Sequence, residues 1–168
     1  MSLKAWSLSD VKLTLIKKIS GHIYTVYKVI SLSKGRFASC SWDKTVKLWE
    51  DNQTYEYLST LEHTDKVFSI LQLRNKEVLV SSCGGLLSLA YIHFWNLNDY
   101  TQQHTIKGYG VGWSGHMMEL SNGNIALSSK YKPYPIIIID GSSYQIISFI
   151  QLEEDITYCS ALCVFDQH

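Results

Sequence analysis

A self-similarity with a period of about 43 residues constrains this chain more than any local motif. Tryptophans stand at Trp6, Trp49 and Trp95, and each closes a short strand-like run: Leu3-Lys4-Ala5-Trp6, Val46-Lys47-Leu48-Trp49 and Ile92-His93-Phe94-Trp95. Gly21-His22 returns as Glu62-His63, and Val26 and Leu32 then fall on Val67 and Leu73. Ser33-Lys34-Gly35-Arg36-Phe37-Ala38 returns two periods later as Ser121-Asn122-Gly123-Asn124-Ile125-Ala126, with Arg74–Leu79 as the middle copy. A unit of this length cannot bury its apolar face alone, so copies must stack on one another.

Each period reads as four short strands. They are expected near 25–32, 36–41, 45–49 and 55–61, then 66–73, 77–82, 90–95 and 101–106, then 113–120, 124–129, 135–140 and 145–151. Runs rich in β-branched and aromatic residues, separated by turns such as Lys34-Gly35 and Asn122-Gly123, carry this reading. No segment sustains an i, i+3, i+4, i+7 apolar pattern, so almost no helix is expected.

At this point the residues resemble the WD40 family, whose four-stranded blades stand radially as a β-propeller. The resemblance rests on Gly21-His22 followed by Ser41-Trp42-Asp43-Lys44-Thr45-Val46-Lys47-Leu48-Trp49-Glu50. It implies an all-β fold of antiparallel blades, each with strands a to d in chain order, in an incomplete or open ring. The expected division of 1–168 is 1–19 as the end of one blade, 20–61, 62–106 and 107–151 as blades, and 152–168 as the first strand of the next. A b strand is missing from the blade shared by the two ends. The expectation is a segment of a longer propeller, completed by a missing segment, by another chain or by self-association. The resemblance also implies a hydrogen-bonded tetrad tying a blade together, here His22, Ser41, Asp43 and Trp49. The second repeat keeps His63, Ser82 and Trp95 but has Gly84-Gly85 in place of the Asp. The third keeps Ser129 without the Trp and carries Pro133 and Pro135 in its b–c loop.

Composition excludes several functions. Fifteen Lys and Arg cancel fifteen Asp and Glu, so no broad basic surface for nucleic acid and no polybasic membrane patch is expected. No apolar run reaches the roughly 18–20 residues of a membrane-spanning helix, and the N-terminus has no signal-peptide pattern. Cys40, Cys83, Cys159 and Cys163 show no zinc spacing and lie in apolar surroundings. They are expected to be buried, reduced thiols in a cytoplasmic or nuclear protein.

The catalytic candidates have bland readings. Gly110-Val-Gly-Trp-Ser-Gly115 matches G-x-G-x-x-G, but no helix can follow it to hold a pyrophosphate. Ser114 and His116 lack an acidic partner, and Glu153-Glu154-Asp155 reads as a solvated loop. The six histidines have no metal spacing. The expectation is therefore no enzyme, no cofactor and no metal, but a protein–protein interaction scaffold. A substrate- or peptide-recognition adaptor of a ubiquitin-ligase or chromatin complex is the alternative. In the resembling family partners dock on the d–a and b–c loops, which here present Tyr24, Trp42, Lys66, Trp113 and Lys130. Trp42 leads that set, either as an exposed aromatic anchor or, equally, as a side chain that packs on the neighbouring blade's loop.

Overall fold

The computed structural model of the chain describes residues 2–9, 12–52, 54–85, 89–109, 116–128 and 136–151. Fourteen strands follow one another among them: β1 (Ser2–Ser9), β2 (Lys12–Ser20), β3 (Val26–Leu32), β4 (Arg36–Ser41), β5 (Thr45–Glu50), β6 (Tyr57–Glu62), β7 (Val67–Gln72), β8 (Val78–Cys83), β9 (Tyr91–Asn96), β10 (Gln102–Lys107), β11 (Met117–Glu119), β12 (Ile125–Ser128), β13 (Ile136–Ile139) and β14 (Ile146–Ile150). The described residues contain no helix, and so none long and apolar enough to cross a membrane. The expected strand 156–165 lies outside the described residues.

Every strand pairs antiparallel with its chain neighbour. The result is a two-stranded ribbon, β1–β2, and three four-stranded sheets, β3–β6, β7–β10 and β11–β14, none of them closed. Short turns permit this meander. Lys34 and Gly35 (φ 59° and 62°) and Gly123 (φ 83°) take left-handed conformations that reverse the chain between the first two strands of a blade. The c–d turns use Asn and Asp side chains to hold backbone N–H groups: Asn52 Oδ1 accepts from Thr54 and Tyr55, and Asp140 Oδ1 from Ser142 and Ser143.

The blades pack face to face through their inner strands, β3 and β4 on β7, and β7 on β11. One core lies between the first two blades, with Leu32, Val46, Leu48 and Leu61 facing Val67, Ile70, Leu79 and Trp95. A second lies between the next two, where Phe68, Val80, Ile92 and Phe94 meet Met117, Ile125, Leu127, Ile137 and Ile139. At the a–b turns each seam is closed by polar clasps. Arg36 Nη2 meets Glu77 Oε2 at 2.6 Å while Arg36 Nη1 donates to the Leu97 carbonyl at 2.6 Å. On the next seam the Arg74 amide donates to Glu119 Oε2 at 2.6 Å, and its guanidinium donates to the Leu120 carbonyl.

Candidate functional site: the tetrad and the loop face above it

The loop face of the first blade is held by a buried polar chain. His22 Nδ1–H donates to Asp43 Oδ2 at 2.8 Å, and the Ser39 hydroxyl donates to His22 Nε2 at 2.8 Å. Ser39 Oγ in turn accepts the Trp49 indole N–H at 2.9 Å. Asp43 also receives the Ile23 amide and the Thr45 amide and hydroxyl, so its carboxylate ties the d–a loop to the b–c turn. Gly21 permits the arrangement, because a Cβ there would stand 2.5 Å from Trp49 Cη2.

The serine differs from the sequence expectation. Ser41 is not the tetrad hydroxyl: its Oγ donates to the Tyr24 carbonyl and accepts the Asp43 amide. Pairing register explains the shift. Phe37 lies opposite Trp49, so Ser39 is the diagonal neighbour within reach of the indole, while Ser41 stands two residues, about 7 Å, further along the strand. The same correction holds in the second blade. Leu79 lies opposite Trp95, and Ser81 rather than Ser82 accepts from Trp95 Nε1 at 2.8 Å and donates to His63 Nε2 at 2.7 Å. Ser82 projects from the opposite face of β8. In the third blade register places Leu127 and Ile139 at the equivalent positions, which makes that network apolar; Ser129 lies outside the described residues.

Without an Asp, His63 Nδ1–H turns to the Leu61 carbonyl at 2.9 Å. Its ring meets His93 edge-on with centroids 5.1 Å apart, and His93 Nδ1 bonds the Thr105 hydroxyl at 2.9 Å. Burial, then the neighbouring His93, hold the His63 imidazole down to about 3. Burial also lowers His22, against the opposing pull of Asp43. Asp43 is pushed up by burial but pulled further down by the Thr45 and His22 hydrogen bonds, and it stays ionised. Burial raises the Cys40 thiol to about 12 and raises Cys83 as well, so neither free thiol is a nucleophile at neutral pH.

Above this frame lie the expected docking residues. Ile23 and Tyr24 are 76% and 60% exposed on the d–a loop. Trp42 is half-buried rather than exposed. Its ring lies edge-on to Phe68 of the next blade at 6.3 Å, and Lys66 Nζ caps it 4.9 Å from the centroid. The b–c turn, tied to the first blade by Asp43, points the indole across the seam onto β7, and apolar contact there removes it from water. Trp42 and Lys66 therefore come together on one seam, while Tyr24 stands exposed on the d–a loop with its carbonyl held by Ser41. Trp113 and Lys130 lie outside the described residues, as do the glycine-rich stretch 110–115, Ser114, the acidic run 153–155, Cys159 and Cys163. No group of three or more His, Cys, Asp or Glu among the described residues is arranged to hold a metal. A polar cleft of about 400 Å³ opens on the a–b turn side, between Arg74, Lys76, Asn124, Asp140 and Ser142. Its charged groups are engaged locally, with the Arg74 guanidinium beside the Glu119 carboxylate, Lys76 on the Gly141 carbonyl and Asp140 on its own turn.

A recurrent residue escaped the sequence reading. Tyr55, Tyr100 and Tyr144 each sit at the end of a c–d turn with φ of 50–61°. Tyr144 stacks on Phe94 of the preceding blade at 4.3 Å, Tyr100 packs on the first seam, and Tyr55 lies beside Lys17 of the ribbon. Their spacing of about 45 residues was the available signal.

Comparison with known proteins agrees with this geometry. Residues 13–50 match the family model "WD domain, G-beta repeat". The crystal structure of the WD40 β-propeller domain of Doa1 superposes with a TM-score of 0.62 over 83% of this chain and 45% of that one, at 20% identity. The chain carries a WD40 repeat in an open WD40-type propeller fold. The matched repeat runs from β2 through β5, so it straddles the ribbon and the first blade and includes every member of the His22 network. The chain is also 33% identical over 116 residues to the ubiquitin homeostasis protein lub1 of Schizosaccharomyces pombe. That alignment takes in 68% of this chain and 15% of the relative's length. WD40 propellers generally serve as non-catalytic platforms that bind proteins.

Proposed function

We propose that this chain is a non-enzymatic docking platform for a protein partner in ubiquitin handling, and that the Ile23–Tyr24 loop with the Trp42–Lys66 pair is its contact surface. The observation that carries the reading is the exposure of two adjacent large apolar side chains on a loop fixed from beneath. The Ile23 amide is anchored by Asp43, so the loop is presented pre-organised, which lowers the ordering cost of association. The relative named for ubiquitin homeostasis makes ubiquitin the first partner to test. The neutral charge balance favours a protein partner over nucleic acid, and two inert buried thiols accord with a cytoplasmic or nuclear setting. A peptide-recognition adaptor role would use the same surface.

The test is a heteronuclear NMR titration of the 168-residue chain with ubiquitin, repeated with Tyr24→Ala and Trp42→Ala. Tyr24→Ala should weaken binding about tenfold or more, as interface aromatics do, with the melting temperature unchanged. Trp42→Ala should weaken binding and also lower the melting temperature, because its ring packs on Phe68. Absence of any ubiquitin-induced shift, or full affinity in Tyr24→Ala, refutes the assignment.

A further inference from the structure

On the a–b turn side the two seams are built to one plan, and they differ in one group. Strand pairing fixes which residues correspond: Phe37, Leu79 and Ile125 stand opposite Trp49, Trp95 and Ile139 of their own blades. Counted back from these, Lys34 matches Lys76, and Glu77 matches Gly123. The Ser33 amide donates to Gln72 Oε1 across the first seam, as the Arg74 amide does to Glu119 Oε2 across the second. Gln72 and Glu119 correspond as well, since they pair with Leu79 and Ile125. On the first seam Lys34 reaches across to Asn98 Oδ1 at 3.0 Å and stands 3.6 Å from Glu77 Oε2. That carboxylate also accepts from the Ser33 hydroxyl and from Arg36. On the second seam Lys76 reaches across to the Gly141 carbonyl at 2.6 Å. The carboxylate's place there falls to Gly123, where a Cβ would meet nothing within 4 Å. The polar cleft of about 400 Å³ opens at this point.

We propose that this cleft is a carboxylate-binding site, in which an acid from outside the chain takes the part that Glu77 plays on the first seam. Lys76 is the central donor. Its ammonium has three N–H groups and spends one on Gly141, and among the described residues it forms no ion pair. Asn124 and the Arg74 guanidinium line the same cleft and add donors. Two resident carboxylates limit the affinity. Glu119 Oε2 stands 3.6 Å from Arg74 Nε, and Asp140 Oδ1 is spent on the Ser142 and Ser143 amides of its own turn. Arg74 and Lys76 therefore balance Glu119 and Asp140 before the acid enters, and binding is weak, of about millimolar strength. The site lies among the a–b and c–d turns, apart from the Ile23–Tyr24 loop, and does not depend on that surface.

A heteronuclear NMR titration of the full 168-residue chain tests the site with two acids. One is a capped tripeptide with glutamate between glycines, the other is propionate, and the same tripeptide with glutamine is the uncharged control. Saturable shifts should appear at the Lys76, Gly123, Asn124 and Gly141 amides, with a dissociation constant of about a millimolar for the acid and no saturation by the control. Shifts driven by the glutamate peptide assign the carboxylate to an acidic side chain; shifts driven by propionate alone assign it to a small free acid. Either supports the site. Lys76→Met should weaken binding about tenfold, the scale of a hydrogen bond to a charged group, with the far-UV spectrum preserved. Glu119→Gln installs the residue type that Gln72 supplies on the first seam and keeps an acceptor for the Arg74 amide. It should tighten binding about two- to fivefold by removing a like charge. An equal response to the glutamate and glutamine peptides, indifference to Lys76→Met, or weaker binding in Glu119→Gln overturns the proposal; so does a wild type that neither acid saturates.

Discussion

At the scale of single residues, the polar chain beneath the docking loop is where substitutions act most sharply. Ser39 Oγ is shared by Trp49 Nε1 and His22 Nε2, both buried. Removing it leaves a donor and an acceptor without partners, at about 1–3 kcal/mol for an orphaned buried group. Ser39→Ala should therefore destabilise by roughly 2–3 kcal/mol, and Ser41→Ala, whose partners are backbone groups at the strand end, by about 1 kcal/mol. Urea unfolding distinguishes the two; equal losses would contradict the register assignment. The second blade's histidine gives a pH effect with a definite sign. His63 is neutral when folded and titrates near 3, while the unfolded side chain titrates near 6.5. Between those values the unfolded state binds the extra proton, so stability is full above about pH 6.5 and falls as the solution is acidified. The loss from His63 alone is about 2 kcal/mol at pH 5, on the scale of 1.36 kcal/mol per pH unit. His63→Gln should be less stable at pH 7.5 but show a shallower fall of melting temperature between pH 7 and pH 5. A parallel fall would assign the acid sensitivity elsewhere.

At the scale of elements, the repeat made the strands legible and hid the register. Trp49, Trp95 and the Lys34-Gly35 and Asn122-Gly123 turns locate the twelve blade strands to within a few residues, because alternation and turn chemistry are local properties. Which serine meets the indole is not local. Ser39 and Ser41 have the same parity on β4, and only the opposition of Phe37 to Trp49 selects between them. In the second blade the choice between Ser81 and Ser82 is a choice of sheet face, set equally by the pairing of Leu79 with Trp95. Trp42 illustrates a different limit. Its place beside a turn leaves exposure and packing on the neighbouring blade equally open, and only the stacking of blades brings it to Phe68, some 26 residues away in sequence. The left-handed tyrosines belong to the same class. A non-glycine residue at positive φ costs of order 1 kcal/mol, and here the ring's contact across or beside a seam offsets that cost. The candidate surface was thus partly readable: the loops that form it followed from the strand order, and the packing that fixes it did not.

At the scale of the molecule, the stack is asymmetric in burial. The blade β7–β10 has a neighbour on each face, and every residue of β8 is buried. The blade β3–β6 is covered on one face by that neighbour. Its other face still exposes Val29, at 48%, where the equivalent Ile70 of the next blade is fully buried. The ribbon β1–β2 supplies neither of the inner strands through which blades pack, and Trp6, Leu8, Leu13 and Leu15 all stand at least 47% exposed on it. Local opening free energy follows such burial, since segments with few apolar contacts open without unfolding the rest. Hydrogen exchange at neutral pH should therefore rank the molecule in a definite order. Amides of β8 and β9 should exchange last, through global unfolding alone, with those of β4 and β5 next. Amides of β1 and β2 beyond Ala5 and before Lys17 should exchange earliest, by about a hundredfold or more for each 3 kcal/mol of difference in opening free energy. Addition of denaturant checks the mechanism. Exchange of β8 and β9 should accelerate in proportion to the surface exposed on complete unfolding, while exchange in the ribbon should barely respond. If β1 and β2 exchanged as slowly as β8, the ribbon would be held by contacts as extensive as those between the blades, and the burial asymmetry would not govern how this molecule opens.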